Sequence, residues 1–206
     1  MHPRTSFAFL PLLALALVAN PAAAQVQFDG LDISGGFAGW ESDEFRDVNG
    51  GIRIGVAPTI RFGNNWGLGI EGIWADSEIQ LQELPVFLTE NAVNGLVRRY
   101  LGDPNDAHVF LQARGGWTRL EGESNVGPQG ALVVRSQSGF STGGELGGGF
   151  PAGRYIDVIW AGGFAWNSYS QCEAFGTRYF WVQPGDDCSA IRWSVRVGLV
   201  LGRSDG

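Results

Sequence analysis

The stretch IRWSVRVGLVLG at 191–202 places apolar and polar side chains at alternate positions. Trp193, Val195 and Val197 lie on one face, whereas Arg192 and Arg196 lie on the other. This period of two predicts a β-strand with one apolar and one polar face. The apolar face would fill the interior of a soluble barrel but would face lipid in a membrane barrel, so its direction decides the kind of fold.

Seven further segments show the same alternation, and together with 191–202 they predict eight strands. They lie near 30–39, 52–62, 66–71, 92–101, 109–118, 140–150 and 156–167. The segment at 92–101 is the least regular, because Arg98 and Arg99 fall on opposite faces. Most of the predicted cores have about 9–11 residues, which is enough for a tilted strand to cross a bilayer.

The connections between these segments are alternately short and long. Turn-forming residues occupy 63–65, 103–106 and 151–154, and their Gly, Pro, Asn and Asp content favours tight turns. Longer links lie near 40–50, 78–91, 120–134 and 169–190. The pattern predicts an all-β, eight-stranded antiparallel up-and-down transmembrane β-barrel with short periplasmic turns and long extracellular loops.

The composition of the two faces predicts which one points outward. The polar face mixes glycine and alanine with isolated charges, as a crowded barrel interior requires. These charges are Asp32, Arg53, Arg61, Glu71, Arg114, Glu145, Asp157, Arg192 and Arg196. The apolar face carries Trp66, Trp117, Trp160, Trp166 and Trp193. We therefore predict that the apolar face contacts lipid, with its tryptophans in an interfacial girdle.

The first 24 residues have the features of a secretory signal peptide. Arg4 precedes a short apolar run at 7–18, and Ala22–Ala24 supply small residues before a cleavage site. The run is too short for a membrane-spanning helix. We predict that residues 1–24 are removed and that residues 25–206 form one barrel domain.

Charge and cysteine content narrow the classes of partner. The net charge is −7, and it becomes −8 once Arg4 is removed, which disfavours nucleic acid as a partner. Cys172 and Cys188 are the only cysteines, and in an exported chain they predict one disulfide. There is no CxxC spacing, so we expect no metal site and no cofactor.

The charges on the predicted lumen face suggest either a plug or a filter. Opposite charges in a narrow interior should pair, because an unpaired buried charge costs several kcal/mol. We therefore predict a lumen charge network formed by Asp32, Arg53, Glu71, Arg114, Glu145 and Arg196. The alternative is a narrow conducting pore lined by the same residues.

In its signal peptide, strand count, loop alternation and polar lumen, the chain resembles the small eight-stranded outer-membrane proteins. These comprise the transmembrane domain of the OmpA family, the OmpX-like proteins and the opacity-type porin family. The resemblance covers the whole mature chain and implies a monomer in the outer membrane of a Gram-negative cell, in contact with lipid and lipopolysaccharide. It implies a non-catalytic structural or surface-interaction role. A narrow porin and a lipid-modifying enzyme are the second and third alternatives.

An enzyme of this class would need a hydroxyl nucleophile activated by a base, usually histidine. His108 is the only histidine of the mature chain, and it follows the short turn DPND at the predicted periplasmic end. We therefore expect no catalytic residues. Acidic residues crowd three of the long links and predict a solvated acidic rim, with divalent-ion bridging to lipopolysaccharide as the alternative. They are Glu41, Asp43, Glu44, Asp47, Asp76, Glu78, Glu83, Glu90, Glu121 and Glu123.

The fourth long link, CEAFGTRYFWVQPGDDC at 172–188, is the most distinctive. It encloses Phe175, Tyr179, Phe180 and Trp181 between the two cysteines. Aromatic residues clustered on a constrained loop suggest a contact surface for an extracellular protein or cell-surface partner. The pattern fits equally well with aromatic side chains that fold back over the barrel mouth.

Overall fold

The computed structural model describes residues 26–41, 48–63, 65–81, 84–124, 133–169 and 188–202. Eight long strands account for nearly all of them: β1 (Val26–Glu41), β2 (Gly51–Phe62), β3 (Trp66–Leu81), β4 (Leu84–Leu101), β5 (His108–Ser124), β6 (Val133–Gly153), β7 (Ile156–Tyr169) and β8 (Cys188–Leu201). A two-residue strand, Val48–Asn49, pairs with β3 beyond the end of β2.

The sheet closes on itself. Each strand from β1 to β7 pairs antiparallel with the next one, and β8 pairs with β1. In this last seam Leu31 lies opposite Leu201, and Gly36 lies opposite Arg196. The predicted eight-stranded antiparallel barrel is confirmed, and its closure leaves no unpaired sheet edge in the membrane-spanning region.

The direction of the two faces is also confirmed. On β8, Val195 and Val197 are 57% and 63% exposed, whereas Arg192 and Arg196 are 0% and 2% exposed. The five tryptophans predicted on the apolar face are all 37% to 50% exposed. Since the outer surface is apolar and the interior is charged, this barrel is arranged for a lipid environment.

The strands are longer than predicted, at 12 to 21 residues. The predicted link at 78–91 is wrong, because β3 continues to Leu81 and β4 begins at Leu84. The pairing of β3 and β4 continues without a break to Leu81 and Leu84, and the Thr89 hydroxyl donates to Asp76 across the two strands at 2.7 Å.

The short links 63–65, 102–107 and 154–155 connect strands at one end of the barrel, the predicted periplasmic side. The third link is shorter than the predicted turn at 151–154, because β6 continues to Gly153. Gly63 adopts a φ of 57° in the first of these turns, in the left-handed region that glycine tolerates best. Within the described ranges, no helix is long and apolar enough to cross a membrane.

Candidate functional site

Five charged side chains meet in the middle of the lumen. Glu145 accepts a hydrogen bond from Arg114 Nη1 at 2.8 Å and lies 3.0 Å from Arg196 Nη2. Glu71 accepts one from Arg53 Nη2 at 2.7 Å, and its other oxygen lies 3.4 Å from Arg114 Nη1. All five side chains are at most 2% exposed. Two carboxylates and three guanidiniums thus form one connected group in which each charge has an opposite neighbour.

Asp32 on β1 extends this group toward the periplasmic side. It lies 3.1 Å from Arg196 and 3.0 Å from Arg98. Arg98 also donates to Gln112 Oε1 through Nε and Nη2, at 3.0 and 2.8 Å, and its guanidinium carbon lies 4.4 Å from the centroid of the Phe110 ring. All six residues of the predicted network are therefore linked, and Arg98 is a seventh member. We call these seven residues the central network: Asp32, Arg53, Glu71, Arg98, Arg114, Glu145 and Arg196.

A second ion pair lies toward the extracellular end. Arg192 donates to Glu90 Oε2, while Thr118 and Asn167 donate to Glu90 Oε1 at 2.9 and 3.3 Å. The prediction that Glu90 belongs to an acidic rim is wrong, because this residue is 1% exposed in the lumen. It points inward because β4 begins well before it, so that the inward alternation of Arg98 and Asn94 continues to Glu90.

A third group closes the periplasmic end. The Tyr100 hydroxyl donates to Asp29 Oδ2, and Arg61 Nε lies 3.8 Å from Asp29 Oδ1. His108 lies beside Tyr100, with the ring centroids 5.2 Å apart, and its Nδ1 lies 2.9 Å from the carbonyl oxygen of Asp106. The only histidine of the described residues is therefore 8% exposed among aromatic rings at the periplasmic end.

The buried charges of the described residues are balanced. Six are acidic and six are arginine: Asp29, Asp32, Glu71, Glu90, Glu145 and Asp157, against Arg53, Arg61, Arg98, Arg114, Arg192 and Arg196. Their formal charges sum to zero, so the interior has no overall preference for cations or anions. Eight strands leave space mainly for side chains, and here long charged side chains occupy that space.

Inward-facing glycines lie where the backbone of the paired strand approaches closely. A Cβ on Gly143 would lie 2.2 Å from the carbonyl oxygen of Phe164. One on Gly163 would lie 2.1 Å from the carbonyl oxygen of Gly144 and 2.8 Å from Cγ of Glu145. At these two inward positions a Cβ would therefore collide with the backbone of the paired strand, which glycine avoids.

Several predicted residues lie outside the described ranges. They are the signal peptide at 1–24, Cys172 and the loop residues Phe175, Tyr179, Phe180 and Trp181, together with Asp43, Glu44, Asp47 and Glu83. Cys188 begins β8, so the disulfide and the loop contact stay predictions. Glu121 is partly exposed and lies 2.7 Å from Arg119. Across the described residues, no group of three or more His, Cys, Asp or Glu side chains could hold a metal ion.

Comparisons with known proteins identify the fold as that of a known family. A family model described as an outer membrane protein beta-barrel domain matches residues 10–199. Neisserial surface protein A (NspA) superposes with a TM-score of 0.55 at 11% identity, over 84% of this chain and 95% of NspA. At such identity the likeness concerns the fold alone.

Two further structures superpose less well. The attachment invasion locus protein Ail of Yersinia pestis, in complex with the heparin analogue sucrose octasulfate, gives a TM-score of 0.48 at 10% identity, over 86% of this chain and 98% of Ail. OprG from Pseudomonas aeruginosa gives 0.44 at 14% identity, over 84% of this chain and 95% of OprG. No curated protein matches the sequence. The family match covers most of the chain, which therefore belongs to the outer membrane protein beta-barrel domain family.

Proposed function

We propose that this outer-membrane protein is a non-conducting, non-catalytic barrel with a structural or surface-interaction role in the Gram-negative envelope. The observation that carries the proposal is the central network, whose side chains reach across the lumen from seven of the eight strands. Because these charges pair with one another and have almost no exposed surface, they favour a plug over a hydrated ion path.

Conductance of the purified barrel in a planar lipid bilayer tests this proposal. The wild type is expected to give no stable open-channel steps. Replacing Arg53 and Glu71 together by alanine removes a buried pair without changing the net charge, and it is expected to open a conducting path. The matched control replaces Arg119 and Glu121, whose side chains are 45% and 32% exposed. Stable steps from the wild type would instead support the narrow porin.

The non-catalytic part of the proposal is supported by the position of His108. This ring is packed against Tyr100 and Phe110 at the periplasmic end, away from the outer leaflet where a lipid A-modifying site would lie. Mass spectrometry of lipid A from cells with and without the protein is expected to show the same species. A new or lost acyl chain would favour the enzyme.

We assign the surface contact to the link between β7 and β8, at the end opposite the short turns. The proposal rests on the aromatic residues of its sequence. Bacteria that display a variant with Tyr179, Phe180 and Trp181 replaced by serine should attach less to cultured mammalian cells than those displaying the wild type. Native gel mobility should be kept. Equal attachment by bacteria that display the variant and the wild type would contradict the assignment of the surface contact to this link.

The proposal also includes the export of the protein to the outer membrane. We infer that a signal peptide at 1–24 is cleaved and that the mature chain is a monomer surrounded by lipid and lipopolysaccharide. The apolar run and small residues of the first 24 positions support cleavage. Intact-mass analysis of the protein from outer membranes should give a chain that begins at Gln25. A mass that includes the first 24 residues would contradict this.

A further inference from the structure

A groove of about 490 Å³ crosses the outer wall of the barrel between β3 and β7. Its floor follows one cross-strand row, in which Val97, Ala113 and Gly144 are paired in register. Phe164, which is 62% exposed, follows Gly144 in this row and stands at the β7 end of the groove. Its ridge is the next row, formed by Leu111 and Leu146. We call this surface the wall groove. Since it lies on the face that contacts lipid, any occupant must be soluble in the membrane.

The glycine in the floor is not required by the fold. A Cβ on Gly144 would have its nearest neighbour at 3.5 Å, and one on the adjacent Gly162 at 3.7 Å, which are ordinary contact distances. On the inward-facing Gly143 and Gly163 the same atom would clash at 2.2 and 2.1 Å. The outward glycines are therefore not dictated by strand packing, and they leave the groove open.

A cation stands at one end of the groove. Arg99 is paired with Trp66, the first residue of β3, and lies two positions before the end of β4, near the periplasmic end of the strand. Its guanidinium carbon lies 4.9 Å from the Trp66 ring, and it forms no ion pair within the part of the chain that the structure describes. An arginine at this depth can extend its charged end to the headgroup level.

The dimensions and charge of the groove fit one kind of molecule. From Arg99 on β4 to Phe164 on β7 there are three strand spacings, or about 14 Å. A guanidinium recognises phosphate through paired hydrogen bonds, and an apolar floor accepts a hydrocarbon chain. We propose that the wall groove binds a glycerophospholipid of the periplasmic leaflet, with its phosphate on Arg99 and one acyl chain across Val97, Ala113 and Gly144.

Native mass spectrometry of the detergent-purified barrel with added dioleoyl phosphatidylglycerol tests the proposal. The wild type is expected to retain one lipid. Arg99→Ala is expected to lower the retained fraction about tenfold, as the loss of a charge-assisted contact would. Gly144→Leu fills the floor and should have a comparable effect. Heat-modifiable gel mobility reports that each variant remains a folded barrel.

Arg154 provides a matched control. It lies in the turn between β6 and β7, also at the periplasmic end, and its guanidinium carbon lies 5.2 Å from the Tyr155 ring. Arg154→Ala should leave lipid retention unchanged. An equal loss of retention in both arginine variants would contradict a specific site and would indicate general electrostatic attraction of lipid headgroups. Unchanged retention in Gly144→Leu would remove the acyl-chain assignment. Displacement of the lipid by inorganic phosphate would show that Arg99 binds the free ion and not a lipid headgroup.

Discussion

Replacing Glu145 by alanine is expected to destabilise the barrel by about 3–5 kcal/mol, the range for breaking a buried ion pair from one side. Glu145 lies 2.8 Å from Arg114, 3.0 Å from Arg196 and 3.9 Å from Arg53. The central network has four arginines and three carboxylates, so the variant would leave four arginines with two carboxylates. Arg114 and Arg196 keep second partners in Glu71 and Asp32, which places the expected loss toward the lower end of that range.

Equilibrium unfolding in urea, with the barrel in lipid vesicles, measures this loss through tryptophan fluorescence and gel mobility. The control is Glu121→Ala, because Glu121 is partly exposed and pairs with a single arginine. An exposed pair of this kind contributes about 0–1 kcal/mol. Adding Arg114→Ala to Glu145→Ala restores the net charge of the central network. The losses in unfolding free energy from the two substitutions should therefore be less than additive by about 1 kcal/mol or more.

Equal stabilities for Glu145→Ala and Glu121→Ala would refute the reasoning. The result would mean that water reaches Arg114 and Arg196 in the lumen and solvates them without their partner. The interior would then be a hydrated space, and the narrow porin would become the better interpretation of the same residues.

Three further outcomes are expected. Arg98→Lys should lower the free energy of unfolding by about 1–3 kcal/mol in the same urea assay, because an ammonium cannot keep both the paired contacts to Gln112 and the stacking on Phe110; an unchanged value would contradict the role of guanidinium geometry. Asn94→Ala should lower it by less than about 1 kcal/mol, since neither amide atom of this buried side chain has a hydrogen-bond partner among the described residues; a loss as large as that of Glu145→Ala would show that Asn94 has a partner. Reduction of the predicted disulfide should leave the barrel folded but increase limited proteolysis within 173–187, because closing a loop of this size contributes about 3 kcal/mol in the chain-entropy model; equal cleavage in both redox states would show that the disulfide is absent or without effect.

The two-residue period was sufficient to predict the closed barrel and its orientation. It was sufficient because in a membrane barrel each inward position differs sharply from its outward neighbours, as Arg196 does from Val195 and Val197. The period also placed the six predicted network residues on one face. The period could not show which charges meet. Pairing across the lumen depends on the stagger between strands, and the alternation within one strand gives no information about that stagger.

Two of the lumen residues that the sequence pattern did not single out share one physical cause. Glu90 and Arg98 lie on β4, where Arg99 faces outward and disturbs the expected contrast between faces. The signal was nevertheless present, since Glu90, Asn94 and Arg98 are separated by even numbers of residues. The alternation that includes Arg98 therefore predicts an inward side chain at position 90, whereas a carboxylate within a predicted loop at 78–91 fits with solvent exposure.

The seam between β1 and β8 has a consequence for assembly. Asp32 and Arg196 meet across it although they are 164 residues apart in sequence, whereas the other strand pairs join neighbours along the chain. Contacts of such separation form late, because the entropy of closing the intervening loop has to be overcome first. Until β8 pairs with β1, Arg196 lacks its ion-pair partner Asp32, and two sheet edges remain unpaired. Unpaired backbone N–H and C=O groups are too costly in the hydrocarbon core of a membrane. Membrane insertion and ring closure must therefore be coupled, and a chain that lacks β8 should stall before insertion instead of forming a smaller barrel.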